Sequence, residues 1–226
     1  CRGTSGNIGP LRSITNPKRR PEQIAMDVLE AVYARRSVKH FDKDHALTDA
    51  EEKQLLQATI QAPTSFNVQH WRLVVFRDAE LRQKIRDEFC GQSQITDASL
   101  LVLFTADVKA WAKEPERYWK NTLAEISQQL VKAVGPFHEQ RGELFQRDEA
   151  HWSVGMAMQN LMLAAQGLGY QSCPMIGFNS EQVAKLVNLP EDYVMGPMVA
   201  VGKGLKDPWP KPGQLALDEI VFENGF

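Results

Sequence analysis

Four short stretches of this 226-residue chain, the last two taken as a pair, gather residues able to hold an anion or orient a ring. Arg35-Arg36-Ser37-Val38-Lys39 sets two forked guanidiniums, a hydroxyl and an ammonium within five residues. That set suits a phosphate and a nearby electron-rich ring. The same pentad also reads as a helix C-terminus whose cations answer the macrodipole. Ala62-Pro63-Thr64-Ser65-Phe66-Asn67-Val68-Gln69-His70-Trp71 packs hydroxyls and amides into one loop, with Phe66 able to cover a ring face. Such groups orient a heterocycle or a polyol chain, although turn residues are expected in any helix-to-strand connection. Pro174-Met175-Ile176-Gly177-Phe178 and Val201-Gly202-Lys203-Gly204 add glycines that admit close backbone approach and a lysine able to reach a phosphate.

The elements around these stretches follow from hydrophobic spacing. Ala25, Val28, Leu29 and Val32 recur at helical intervals after Pro21 and lead into Arg35. Thr48 and Glu51 form a capping box for a helix carrying Leu55, Leu56 and Ile60, which Pro63 stops. Trp71 to Phe76 and Leu100 to Thr105 read as strands. Between them Asp78 caps a helix with Leu81, Ile85 and Phe89. Residues 107–147 are helical in pattern with an expected break at Gly135-Pro136, and include Trp111, Tyr118, Trp119 and Phe137, more suited to a core than to a pocket roof. A buried helix over 149–166, a loop through Cys173 to Gly177, a helix near 180–187, a strand from Tyr193 to Val201 and a strand-like piece from Glu219 to Phe222 complete the chain. Few strands separated by helices predict an α/β or α+β sandwich around one sheet.

Composition narrows the function classes. Lys and Arg number 26 against 28 Asp and Glu, so no overall field draws the chain to nucleic acid or an anionic membrane. Lys18-Arg19-Arg20 reads as a solvated face. Cys1, Cys90 and Cys173 cannot pair completely and show no C-x-x-C spacing, which points to a reducing, cytoplasmic compartment. The charge-free run from Trp152 to Ser180 is broken by amides and by Gly167-Leu168-Gly169, and reads as a buried helix and loop, so no membrane partner is expected. Residues 1–20 are expected to be a disordered leader or cloning remnant and 21–226 a single domain. There is no G-x-G-x-x-G, H-E-x-x-H or G-x-S-x-G. His40, His45, His70, His138 and His151 show no metal-ligand spacing, and no metal is expected.

In their order along the chain, R-R-S-V-K-x-F at 35–41, A-P-T-S-F-N-V-Q-H-W at 62–71, D-A-S with its apolar strand at 97–104, and P-M-I-G-F at 174–178 with G-K-G at 202–204 resemble the FMN-dependent nitroreductase family over about Met26 to Phe226. The resemblance implies an α+β, three-layer α/β/α sandwich with a mostly antiparallel central sheet. It also implies a homodimer with an exchanged C-terminal tail and FMN at the subunit interface. Arg35, Arg36 and Ser37 would hold the phosphate and ring edge, with Lys39 near the pyrimidine oxygen and Lys203 returning to the phosphate. Pro63, Thr64, Ser65 and Asn67 would come from the other subunit. Gln94 matches an amide-bearing position. Pro174 and Met175 lead to the backbone of Ile176 and Gly177 on the reactive N5 side. The chain departs from the family pattern at Ile176, where many relatives have Glu, at Leu205, where many have a basic residue, and at His70, where Pro is usual.

The implied activity is hydride transfer from NADH or NADPH to FMN and then, by a ping-pong mechanism, to a small second substrate such as a nitroaromatic or quinone. The cofactor carries the chemistry, and no side chain is required as a nucleophile or dedicated base. A related FMN enzyme performing enone reduction or reductive dehalogenation, and a non-catalytic flavin-binding module, are the alternatives.

Overall fold

The computed structural model describes residues 26–88 and 91–226. The leader, Pro21, Ala25, Lys18-Arg19-Arg20, Phe89, Cys1 and Cys90 lie outside the described residues.

Four strands form one antiparallel sheet in the order β1-β2-β4-β3: β1 (Trp71–Val75), β2 (Leu100–Asp107), β3 (Gln171–Met175) and β4 (Tyr193–Gly202). Strand β2 is buried along its whole length because both faces of the sheet are covered. Its even-numbered residues, from Leu100 to Ala106, face a layer built by α2 (Asp49–Thr59) and the long helix α5 (Ala124–Gly167). Leu101 and Leu103 face the opposite core with Phe76, Ile85 and Val183, which α3 (Ala79–Glu88), α4 (Gln94–Asp97) and α6 (Ser180–Leu186) close. The result is the expected three-layer α+β sandwich. Gly196 permits the tightest contact between layers: a Cβ there would stand 2.8 Å from the Phe104 carbonyl oxygen and 2.9 Å from Val154 Cγ1.

Capping sets the helix starts largely as the sequence predicts. Asp27 accepts from Leu29 N ahead of α1 (Val28–Ala34), Thr48 and Glu51 form their reciprocal box, and Asp78 Oδ1 accepts from Leu81 N at 2.9 Å. Four expectations are corrected. The loop through Cys173 is strand as far as Met175: Pro174 is tolerated because β3 is an edge, where a missing N–H costs no ladder bond. The break expected at Gly135-Pro136 falls instead at Gly142, whose φ 77 and ψ 177 only glycine adopts without strain. Pro136 stays within α5 on its exposed side, where water can reach the Lys132 carbonyl that the ring leaves unbonded. The helix over 149–166 is not buried throughout, since Trp152 and Met156 face outward. Glu219 to Phe222 is no strand: α7 (Leu217–Ile220) is a short helical turn whose Glu219 Oε1 accepts from Ala216 N at 3.0 Å.

Gly142 has a large consequence. Along a straight helix His138 and Glu149 would be separated by about 16 Å, yet His138 Nε2 lies 2.8 Å from Glu149 Oε2. The chain turns back at Gly142, Gln146 Nε2 donates to the His138 carbonyl at 2.8 Å, and Arg141 lies over the Phe137 ring. The first arm of α5 thus packs its Val134 with Val68, Trp111, Tyr118 and Trp119 in a third apolar cluster. Trp111, Tyr118 and Trp119 are therefore core, as expected, while Phe137 packs against Phe66 at 4.8 Å.

Candidate functional site

The helix α1 ends at Arg35, and the chain continues alongside β3. Ser37 pairs with Ser172 in a parallel bridge, Val38 N donates to the Ser172 carbonyl at 3.0 Å, and Phe41 pairs with Gly204. This pairing carries Arg35, Ser37 and Lys39 to the β3 edge. It also fixes Lys203, whose carbonyl accepts from Asp42 N and whose Nζ stands 3.8 Å from Asp42 Oδ2.

The cations at this edge are spent unequally. Arg36 folds back onto its own helix, its Nη1 donating to the carbonyls of Tyr33, Ala34 and Arg35. For Arg36 the capping reading of the pentad is the one observed. The Arg35 Nη1 is buried and has no hydrogen-bond partner among the described residues. Its positive charge and that of Lys39 reach Cys173 on β3, as does the Gln94 amide; burial nevertheless dominates and pushes the Cys173 thiol up. Arg35, Lys39, Gln94 and Cys173 therefore share one neighbourhood. The Ser172 hydroxyl, also buried and without a partner, sits in the same place and was not singled out in the sequence, where an isolated serine in an apolar run gives no signal. Beyond Pro174 and the buried Met175, Ile176 is 79% exposed and Gly177 is exposed with it.

Pro63, Thr64, Ser65 and Asn67 occupy a different corner. Their loop has Phe66, Asn67 and Gln69 all at positive φ between 50° and 53°, a strained run for residues with side chains. It persists because its polar groups are anchored. Thr64 Oγ1 accepts from Gln69 N at 3.0 Å and Asn67 Nδ2 donates to the Tyr118 carbonyl at 2.7 Å. Val68 and His70 are fully buried beneath it. At the same corner Asp107, 1% exposed, binds Lys113 at 2.9 Å, and Lys113 also reaches Asp192 at 2.6 Å. Burial works against the Lys113 ammonium, but its bonds to the two carboxylates outweigh it and hold the group above its ordinary range.

The register shows how far apart these halves are. Ser172 pairs with Val201, which pairs with Leu100, whereas Trp71, next to the loop, pairs with Ala106, which pairs with Val194. The loop and the Arg35 edge thus lie at opposite ends of the strands and on opposite margins of the sheet, on the order of 25 Å apart. One chain does not bring the two halves of the expected site together.

Under the loop the structure assembles residues that sequence spacing missed. His70, His138 and Glu149 are all buried, with their ligand atoms within 4.8 Å of one another. Burial lowers the His70 imidazole to about 4 despite the neighbouring Glu149 charge. Burial raises the Glu149 carboxyl, but the hydrogen bond and charge of His138 outweigh that and hold it below its ordinary range, with smaller help from Ser65. The only sequence signal was His70 at a position where the family pattern has Pro.

The donor set at the β3 edge fits the phosphate of FMN: a buried, unpartnered guanidinium N–H at Arg35, the hydroxyl of Ser37, and ammonium groups at Lys39 and Lys203. Comparison with known proteins agrees with the architecture. The model of the Nitroreductase family matches residues 32–203. The chain is 55% identical to Protein DrgA of Synechocystis sp. over 87% of its own length and 95% of that protein. It is 31% identical to YodC of Bacillus subtilis, named as a candidate NAD(P)H nitroreductase, over 86% and 97% of the two chains. A candidate nitroreductase from Exiguobacterium sibiricum, solved in complex with FMN, superimposes with a TM-score of 0.83 at 25% identity over 89% and 99% of the two chains. Match length, identity and shared architecture agree, and the chain belongs to the nitroreductase family.

Proposed function

We propose that the protein is an FMN-dependent oxidoreductase that takes hydride from NADH or NADPH and delivers it to a small second substrate of the nitroaromatic or quinone type. It would work as a homodimer, each FMN held between the Arg35 edge of one chain and the Pro63–Asn67 loop of its partner. The observation that carries this reading is the buried, unpartnered Arg35 Nη1 beside exposed Lys39 and Lys203, an anion site that this chain leaves half built. The loop lies at the far corner of the same chain, so a second copy is the simplest way to complete it.

FMN, when bound, supplies the chemistry of hydride acceptance and donation. The chain's residues do the rest. Arg35 and Lys203 answer the phosphate, Ser37 offers a hydroxyl to it, and Lys39 places positive charge at the ring edge, where it favours an anionic reduced state. The exposed turn at Ile176 and Gly177 leaves the reactive side open to donor and acceptor in turn, which suits a ping-pong order. Apolar side chains left in water support the dimer: Val28, Leu29 and Tyr33 on α1, Trp152 on α5, and Leu215, Leu217, Val221, Phe222 and Phe226 on a tail that joins none of the apolar cores formed by the described residues. Patches of this extent mark interfaces.

The deciding experiment is a visible absorption spectrum of the purified protein, followed anaerobically after adding NADH and, separately, NADPH. Flavin bands that bleach within the mixing time are expected, along with a dimer by light scattering. A colourless protein that takes up no added FMN, or a monomer that binds it, would overturn the reading.

A further inference from the structure

The hydrogen atoms in the His70–His138–Glu149 cluster can be counted from its partners. His138 Nδ1 lies 2.7 Å from the Val134 carbonyl oxygen, which only accepts, so Nδ1 carries hydrogen. The Ser153 hydroxyl gives its single hydrogen to the Glu149 carbonyl at 2.9 Å. Its oxygen must therefore accept from His70 Nδ1 at 3.1 Å. Both imidazoles thus have their Nδ1–H committed outward and turn their Nε2 atoms toward one carboxylate, at 2.8 Å for His138 and 3.8 Å for His70. A proton between His138 and Glu149 would satisfy that pair alone. It would leave His70 Nε2 and Glu149 Oε1 buried without partners, as they are found.

A positive ion accepting all three donors at once resolves the count. We propose that His70 Nε2, His138 Nε2 and the Glu149 carboxylate form a buried site for a divalent first-row transition metal ion, with zinc as its natural probe. Two neutral imidazoles and a carboxylate are donors that such ions prefer. Tetrahedral bonds of about 2.0–2.1 Å need donor atoms roughly 3.3 Å apart; the 2.8 and 3.8 Å separations each require a shift of about half an ångström, and the widest, within 4.8 Å, must close by up to about 1.5 Å through rotation of the two imidazoles. The outward Nδ1–H bonds to a carbonyl and a hydroxyl are the arrangement that fixes tautomer and ring orientation in metal-bound histidines. The Trp111 ring stacks on His138 at 5.2 Å and Phe66 stands tilted beside it at 6.0 Å, so the three ligands are shielded from bulk solvent and the fourth position of a tetrahedral ion falls to a small exogenous ligand such as water. The ion would tie the start of β1 to both arms of α5 and so clamp the strained loop from below. This inference does not depend on the flavin reading.

The test uses untagged full-length protein refolded with equimolar zinc, followed by exhaustive dialysis and elemental analysis. One metal ion per chain is expected, whether or not FMN is bound, with a higher Tm than that of protein refolded with a chelator. His70→Gln and Glu149→Gln are close in size and should each lose the ion, while His151→Gln, outside the cluster, should keep it. Ser153→Ala should weaken affinity by about 10–100-fold. Another first-row divalent ion at one per chain, lost in both ligand variants, supports the site equally. Wild-type protein that folds without metal and has the same Tm with zinc as with chelator overturns it, as does metal that the ligand variants retain. Because the wild-type comparison stands alone, variants that fail to fold do not rescue the proposal.

Discussion

The two halves of the proposed flavin site are built on opposite principles. At the β3 edge, backbone pairing of residues 37–41 with β3 and Gly204 fixes the chain, Arg36 is spent on its own helix and Lys203 stands 3.8 Å from Asp42, while Arg35 Nη1 and the Ser172 hydroxyl are left unpartnered. Lys203 is mostly exposed. At the β1 corner the groups that shape the loop are occupied, Thr64 and Asn67 by the loop and Tyr118, Asp107 by Lys113 and His138 by Glu149, and only the cluster beneath it keeps unpartnered atoms, at His70 Nε2, Glu149 Oε1 and Trp111 Nε1. A region whose polar groups are unspent is poised for a ligand, while one whose groups are spent on each other holds its shape. The edge should therefore govern affinity for the cofactor and the corner should govern stability.

The sharpest way to break this contrast is Arg35→Ala. A charge-assisted hydrogen bond to phosphate is worth about 1.5–3 kcal/mol, so FMN affinity should fall roughly 10- to 150-fold. The FMN-free protein should keep its Tm or gain slightly, because a buried donor without a partner is removed. Fluorescence titration of FMN and thermal melts of the stripped protein measure the two quantities. A lower Tm in the stripped variant would place Arg35 in the fold rather than the site.

Asp107→Ala is the converse change. It removes a carboxylate held by Lys113 and lying 3.6 Å from Arg72. Lys113 is 41% exposed and retains Asp192, so the cost is below that of a fully buried pair, about 2 kcal/mol. In a chain of this size the Tm should fall by roughly 4–8 °C. If instead FMN affinity fell as far as for Arg35→Ala with Tm unchanged, the corner would belong to the ligand and the contrast would fail.

The same contrast explains what the sequence makes visible. The β3 edge offered a candidate in the sequence because its residues are nearly consecutive: R-R-S-V-K and G-K-G allow an anion site or a helix cap, and the structure assigns Arg36 to the cap. The sheet was readable for a similar reason, since Leu100 to Thr105 is an apolar run that only a strand buried on both faces explains. The corner was not, because its partners are 68 residues apart from His70 to His138 and 79 from His70 to Glu149, and meet only through the reversal at Gly142. Local spacing favoured Gly135-Pro136 as the break, since proline is the stronger local breaker. What decided against it was tertiary: the exposed outer side on which Pro136 falls and the packing of Val134 and His138 on either side of it. Gly142→Ala examines that point directly. At φ 77 and ψ 177 a side chain is strained whatever the free space, so a loss of about 1–2 kcal/mol in chemical denaturation is expected. Near-UV circular dichroism should change at Trp111, which stacks on His138. Equal stability would mean that the reversal is not held by Gly142.

The smallest effect tests the layer that belongs to neither half. Glu51 closes the capping box of α2, its Oε2 accepting from Thr48 N at 2.9 Å, and its Oε1 accepts from the Tyr170 hydroxyl at 2.9 Å. The Thr48 side-chain bond, followed by that to the Thr48 backbone, lowers its pKa in the folded protein relative to the model-peptide range. The unfolded chain therefore binds the proton more readily. Glu51 contributes its stability in full above the ordinary carboxylate pKa of about 4.3 and loses it as pH falls through the lower folded value. Because the group is partly exposed, the contribution should be below about 1 kcal/mol. Chemical denaturation of wild type and Glu51→Gln at pH 7 and at pH 3.5 should show a difference at neutral pH that shrinks in acid. A difference that stayed constant would assign the cost to lost packing against Tyr170 rather than to the carboxylate's charge.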